Sequence, residues 1–219
     1  MVLTNCVLFN SNKKNTFRPQ KKFNKGSKKY SLHKQAKGTL GSGNLKLAVQ
    51  LPEEEELNQW LSIFVIDFTN KLNMIYASIQ SVCTTNSCPV MNAGPKFEYH
   101  WSEKKSRKPK RLSAPDYIEK LLKWVDDQIN DENIFPSDPE LPYPRGFKNK
   151  IVSPIFKRLF RIFGHVYYSH FSTIREMGAE AHLNTLFKHF VYFTHEFNLI
   201  DEKELQPMQL LINKLCNFD

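Results

Sequence analysis

Two pairs of metal-ligating side chains share one spacing. Cys83 and Cys88 have four residues between them, and so do His165 and His170. Two thiolates and two imidazoles make a closed tetrahedral set, the composition that structural zinc prefers. The cysteines follow one expected helix and the histidines lie on another, so a metal held by all four would cross-link elements far apart in the chain. The spacing also allows a plainer reading, with Cys83 a small buried hydrophobe and the histidines in ordinary surface or core surroundings. A five-residue offset turns a regular α-helix by about 140°, so the two histidines share a face only if the helix distorts or one of them leans inward. Neither reading implies catalysis, because four protein ligands leave no open position for a reacting water and no Glu stands beside either histidine as in HExxH. The chain also lacks a Gly-rich phosphate loop, a GxSxG elbow and a kinase signature, so neither an enzyme nor a small-molecule substrate is expected.

A second cluster has the chemistry of anion recognition. Lys157, Arg158 and Arg161 fall at i, i+1 and i+4 of an expected helix, which brings three cations onto one outward face. Arginine supplies forked, charge-assisted hydrogen bonds, so the trio suits a phosphate group; a solvated basic face is the plainer alternative. A third cluster is acidic. Glu53, Glu54, Glu55 and Glu56 lead into Trp60, and Asp67 follows two turns later, a surface suited to a basic helical segment. Helix capping and solubility, with Trp60 in the core, would account for the same residues.

The elements that must carry these groups are read from periodicity. Leu57, Leu61, Phe64, Phe68, Leu72, Ile75, Ile79 and Val82 recur at steps of three and four, which predicts a helix over about 54–82 with an acidic start that suits its dipole. Turn residues over 83–95 end it, and the alternation of KFEYHW at 96–101, before the charged EKKSRKPKR, predicts a small β-hairpin. Ser113 ahead of Ala114, Pro115 and Asp116 reads as a helix cap, with Tyr117, Leu121, Trp124, Val125 and Ile129 on the buried face. Four prolines from Pro136 to Pro144 give an extended connection. Further helices are predicted over about 154–174, 180–197 and 201–216, the last with Asp201 and Glu204 at capping-box spacing and Pro207 in its first turns or interrupting it. The expected architecture is an all-α helical bundle with one small hairpin.

The chain has 219 residues, 41% hydrophobic and 13% aromatic, and a formal charge of +9, the size of one domain with a tail. Residues 1–50 hold eleven Lys or Arg and no acid, whereas the other 169 hold twenty basic against twenty-two acidic groups. Residues 1–38, polar and basic with Pro19 and Gly26 as breakers, read as a mobile arm, helical from about 27 to 37, ahead of a helical domain over 39–219. A domain without a basic surplus makes nucleic acid a disfavoured partner. Non-specific binding through the arm and the EKKSRKPKR loop is the rival from another class, with retention on duplex DNA at about 0.15 M salt as its signature. No apolar run reaches the roughly 18 to 20 residues of a membrane span, and the N-terminus lacks a signal-peptide pattern, so a cytoplasmic protein is expected. Four cysteines, Cys6, Cys83, Cys88 and Cys216, are too few for a disulfide framework.

The stretches NTFRPQKK, TLGSGNL, LPEEEELNQW, CTTNSCPVMNAGPKFEYHW, SAPDYI, IFP, KRLFRIFGHVYYSHF and EAHLNTLFKHFVYFTHEFNLIDEKEL closely resemble the Mob (Mps one binder) family of kinase coactivators, from about residue 16 to the C-terminus. The resemblance implies a helical bundle whose zinc is held by Cys83, Cys88, His165 and His170, in a protein without catalysis of its own. It implies an activating adaptor for NDR/LATS-class AGC Ser/Thr kinases in Hippo or mitotic-exit signalling, with Glu55, Trp60 and Asp67 on the kinase-binding face. Gln59 departs from the pattern, since close relatives carry an acid there. KRLFR matches the family's phosphopeptide pocket, which implies that Lys157, Arg158 and Arg161 receive a phosphothreonine of upstream Ste20-like (Hippo-type) kinases.

Thr16 in NTFRP and Thr39 in GTLGSG match positions phosphorylated in activating members, and each phosphate would bring about −1.5 to −2 charges into a cationic segment. The resulting expectation is an unphosphorylated arm that partly covers residues 53–67 and is released on modification. TLGSGNL, FEYHW and KRLFR are similar to the activating subgroup. TFRPQKKF, LHKQA, AVQLP and MGAEAH are similar to a sister subgroup with weaker or absent kinase binding, for which a phosphopeptide scaffold is the expected role. Thr39 and Lys157, nearest the proposed chemistry, follow the activating pattern. Nuclear or centrosomal location is a further expectation from the resemblance.

Overall fold

A computed structural model describes residues 25–41, 43–102, 108–138 and 140–218, with the backbone alone at 39–41. Thr16, most of the expected arm and the centre of the EKKSRKPKR loop lie outside the described residues. In chain order the helices are α1 (Lys28–Gly41), α2 (Leu45–Val49), α3 (Leu57–Ile79), α4 (Ala114–Ile129), α5 (Ser153–Ser169), α6 (Phe171–Glu176), α7 (Glu180–Glu196), α8 (Glu202–Leu205) and α9 (Gln209–Leu215). A π-helical turn, Lys148–Val152, leads into α5, and a 3-10 turn, Gln206–Met208, joins α8 to α9. The architecture is helical, as the periodicity requires.

Helix α3 is the hub, packed against α1, α4, α5 and α7. Its apolar stripe delivers Trp60, Phe64 and Phe68 to an aromatic core. Phe64 stacks on Phe193 with centroids 4.2 Å apart, and Phe68 meets Phe156 at 5.8 Å and Phe190 at 5.3 Å, both edge-on. Each such pair contributes about 0.5–1.5 kcal/mol beyond the burial of its area. Helix α5 buries Ile155, Phe156, Leu159, Phe160, Ile162 and Phe163, which holds one side of it rigidly on α3 and α7 and leaves the other for charged groups. Helix α4 starts where its cap predicts: the Asp116 amide donates to Ser113 Oγ at 3.3 Å, with Pro115 in the first turn.

Several expectations are corrected. Helix α3 begins at Leu57, three residues late, because Glu54 takes a left-handed φ of 64° and Glu56 is an extended cap, so the acidic run forms a turn ahead of the helix. The described residues show no strand ladder where the β-hairpin is expected, only two isolated antiparallel bridges, Asn92 with Glu98 and Trp101 with Lys110. The backbone of Met91 accepts from the Tyr99 amide at 2.8 Å but donates to Leu112 at 3.0 Å, so its pairings divide between two segments and no ladder propagates. The helix expected over 154–174 is two helices, α5 and α6, broken at His170. Pro207 does interrupt the last helix, but the capping box is absent: Asp201 makes no side-chain cap bond, and the Glu204 carboxylate goes to Lys157 and Arg161 instead. The helix expected over 27–37 is longer, Lys28–Gly41, and buries Leu32 and Ala36 in the main core. The short α2, capped by Asn44 Oδ1 accepting from the Leu47 amide at 3.1 Å, has too few residues to show a period.

Candidate functional site

The Cys and His pairs meet. Cys83 Sγ lies 3.5 Å from His165 Nε2 and Cys88 Sγ lies 3.4 Å from His170 Nε2; all four ligand atoms are within 4.8 Å of one another and all four residues are buried. A tetrahedral zinc, with Zn–S about 2.3 Å and Zn–N about 2.0 Å, keeps a sulfur and a nitrogen about 3.5 Å apart, so the donor set fits a metal ion of that kind.

Local structure explains how each ligand arrives. The Cys83 amide donates to the Ile79 carbonyl at 2.9 Å, closing the end of α3, and Thr84 and Ser87 bond each other to fold the chain back to Cys88. His165 is in the last turns of α5, whereas His170 stands at its end with φ −131°, outside the helical region. That break removes the angular mismatch of a five-residue offset and brings the two imidazole centroids to 5.2 Å. His165 Nδ1 donates to the Asn92 carbonyl at 3.0 Å, which fixes the ring and leaves Nε2 for a ligand bond. A Cβ on Gly164 would stand 2.8 Å from the Cβ of Ala93, so a glycine is needed for the cysteine loop to lie directly on α5.

Burial, with Cys88 adding to it, pushes the Cys83 thiol up to about 12, and burial pushes the His165 imidazole down to about 4 and that of His170 down as well. The environment favours neutral ligands; a bound divalent cation reverses that preference for the thiols.

Lys157, Arg158 and Arg161 are also brought together, but each already has partners. The Arg158 guanidinium lies 4.5 Å from the Trp101 ring and 4.3 Å from that of Trp124, and its Nη2 donates to the Ser102 carbonyl at 2.9 Å. Arg161 lies 4.9 Å from the Tyr99 ring and donates from Nη1 to the Tyr117 hydroxyl at 2.9 Å. Glu204 reaches Lys157 Nζ at 2.7 Å and Arg161 Nη2 at 3.4 Å. The trio lines a surface depression together with His100, Ser102 and Asn149. Sequence reasoning missed Glu204 as a site residue, because its spacing from Asp201 pointed to a cap; its acidic type on a short segment after α7 was the available signal.

The acidic face is paired too. Glu55 accepts an ion pair from Lys28 of α1 at 3.0 Å, and Asp67 is met by Lys71 at 2.6 Å and by His33 of α1 at 3.4 Å. Burial opposes the Asp67 charge, but the hydrogen bonds and charges of His33 and Lys71 prevail and hold its carboxyl at about 2. Trp60 is 2% exposed and its Nε1 donates to the Val49 carbonyl at 3.0 Å, which ties α3 to α2 and puts the ring in the core. Gln59 is buried beside it. Thr39 lies in the last turn of α1.

The chain matches the Mob1/phocein family over residues 37–208. It is 55% identical over 209 residues to MOB kinase activator-like 1 homolog B of Dictyostelium discoideum, with 95% of this chain and 96% of that relative covered. Homolog A of the same organism is 52% identical over 204 residues, covering 93% and 95%. MOB kinase activator 3A of Mus musculus is 50% identical over 208 residues, covering 94% and 95%.

Proposed function

This chain belongs to the Mob1/phocein family, and on that premise we propose that it is a non-catalytic adaptor that binds and activates NDR/LATS-class Ser/Thr kinases in Hippo or mitotic-exit type signalling. The observation that supports this most is the pairing of Glu55 with Lys28 and of Asp67 with His33, which lays the basic helix α1 across α3 and the acidic turn ahead of it. A surface that accepts one basic helix by spaced ion pairs has the chemistry to accept another from a kinase. Helix α1 then acts as an internal occupant, and phosphate on Thr39, at its C-terminal end where the helix dipole disfavours negative charge, weakens the helix and frees the face. Trp60 contributes by fixing α3 on α2 rather than by direct contact.

In the same reading the Cys83, Cys88, His165, His170 site holds structural zinc. The Lys157, Arg158, Arg161 depression takes a phosphothreonine peptide from an upstream Ste20-like kinase, and the protein works in the cytoplasm, with nuclear or centrosomal recruitment through its partners. The test is a titration of the full-length protein, unmodified and phosphorylated at Thr39, against the basic N-terminal regulatory segment of an NDR/LATS-class kinase. The expected result is tighter binding after phosphorylation and weaker binding in Glu55→Ala and Asp67→Ala. Absence of binding in both forms would exclude the activating role and leave the sister-subgroup reading, a phosphopeptide scaffold.

A further inference from the structure

We propose that Glu204 is a resident competitor of phosphate: a carboxylate of the protein that holds Lys157 and Arg161 until a ligand displaces it, and so selects a phosphate dianion over an ordinary acidic side chain. The inference rests on the phosphopeptide reading of this depression and deepens it.

Glu204 divides its two oxygens between two cations, Oε1 to Lys157 Nζ at 2.7 Å and Oε2 to Arg161 Nη2 at 3.4 Å. A bridging phosphate would use its oxygens in the same way. The carboxylate is 27% exposed and is tied to the depression through the two lining cations that it bonds. It is carried by α8, four residues long, none of them buried, with no side-chain cap at Asp201 and a 3-10 turn containing Pro207 immediately after. Leu205 of this helix packs against the core, so displacement is a swing of the Glu204 side chain and not a withdrawal of the segment. Arg158 differs: it lies over two indole rings set nearly perpendicular to each other and is bonded to Ser102, so it remains in place whichever anion is present. The pocket thus has one fixed cation and two shared with an internal anion, and Asp201 adds a second acidic residue to its lining.

The consequence is a filter. A glutamate or aspartate of an unmodified partner brings one charge and two oxygens, the same as Glu204, and exchanging one carboxylate for another gains nothing in the pocket. Phosphothreonine brings about −1.5 to −2 charges and three acceptor oxygens, so it gains from all three cations on displacing Glu204.

The experiment uses short fluorescent peptides with randomised flanks around a central phosphothreonine, threonine or glutamate, titrated against the full chain and its Glu204→Gln, Glu204→Ala and Lys157→Ala variants, with melting temperature and metal content measured in parallel. The wild type is expected to bind the phosphothreonine set alone. Both Glu204 variants are expected to bind it about five- to tenfold more tightly, after a discount for the partial exposure of the pair, and to bind the glutamate set measurably. Phosphothreonine binding that is equal or weaker in both Glu204 variants overturns the proposal, since Glu204 would then serve to orient the cations. Phosphothreonine binding that is absent from the wild type and both variants, or indifferent to Lys157→Ala, overturns the pocket reading itself.

Discussion

Helix α5 carries two candidate sites of opposite character. At its C-terminal end His165 and His170 join Cys83 and Cys88, four buried side chains whose ligand atoms lie close enough to share a cation. In its N-terminal half Lys157, Arg158 and Arg161 are already charged and already partnered, by Glu204, by the Ser102 carbonyl and by aromatic faces. The ligand set gains outright when an ion arrives, so metal binding becomes part of the folding free energy. The cationic set must give up an internal anion to take an external one, so its affinity is a difference between two anions and turns on phosphate charge. The acidic surface under α1, formed by α3 and the turn ahead of it, behaves like the second site, since Glu55 and Asp67 hold internal cations.

The sharpest way to break this contrast is to remove a metal ligand. Cys88→Ala, or chelation with the loss of zinc verified by elemental analysis, is expected to lower the melting temperature by on the order of 10 °C; an unchanged value would mean that the site has no structural role. Arg158 should come next. Arg158→Ala removes two cation–π contacts and a hydrogen bond to a backbone carbonyl, with an expected loss of about 2 kcal/mol in denaturant titrations, and Arg158→Lys should not restore it because an ammonium lacks the planar fork that covers both rings and reaches the Ser102 carbonyl.

The α1–α3 contact gives a pH-dependent effect of similar or smaller size. Asp67 is held at about 2 against an ordinary 3.8, so the folded state favours its carboxylate. That stabilisation is complete above the ordinary value and is lost as pH falls from about 4 toward 2, amounting to roughly 2 kcal/mol at most. Stability measured across that window should change less in Asp67→Asn than in the wild type; parallel curves would show that the contact carries no such linkage. The smallest effect belongs to Lys157→Ala. Its pair with Glu204 is partly exposed, so stability should move by no more than about 0.5 kcal/mol while phosphopeptide binding falls. A large loss of stability instead would make Lys157 a structural residue and erase the distinction between the two halves of α5.

Periodicity in the chain locates α3, α4, α5 and α7 closely, because each buries a stripe at helical spacing and Ser113 caps α4 by local chemistry. It misplaces what long-range pairing decides. KFEYHW alternates as a strand does, yet strand character requires a partner ladder, and Met91 divides its backbone between Tyr99 and Leu112. Residues 28–38 look like an arm because of their lysines, yet Leu32 and Ala36 are buried in the core and Lys28 and His33 pair with Glu55 and Asp67. Spacing alone leaves the zinc and plain readings of the Cys and His pairs open, and the break at His170 is what permits four ligands to converge.

The sequence by itself determined the ligand types, the three cations on one turn of a helix and the apolar stripes, since these depend on residue identity and on separations of a few positions. Only the tertiary structure decided the counter-ions: Glu204 lies 43 positions beyond Arg161 and meets it because α8 returns to α5, and Lys28 and His33 meet Glu55 and Asp67 because α1 crosses α3. A charge pair formed by chain return leaves no periodic trace, and its partner is chosen by packing.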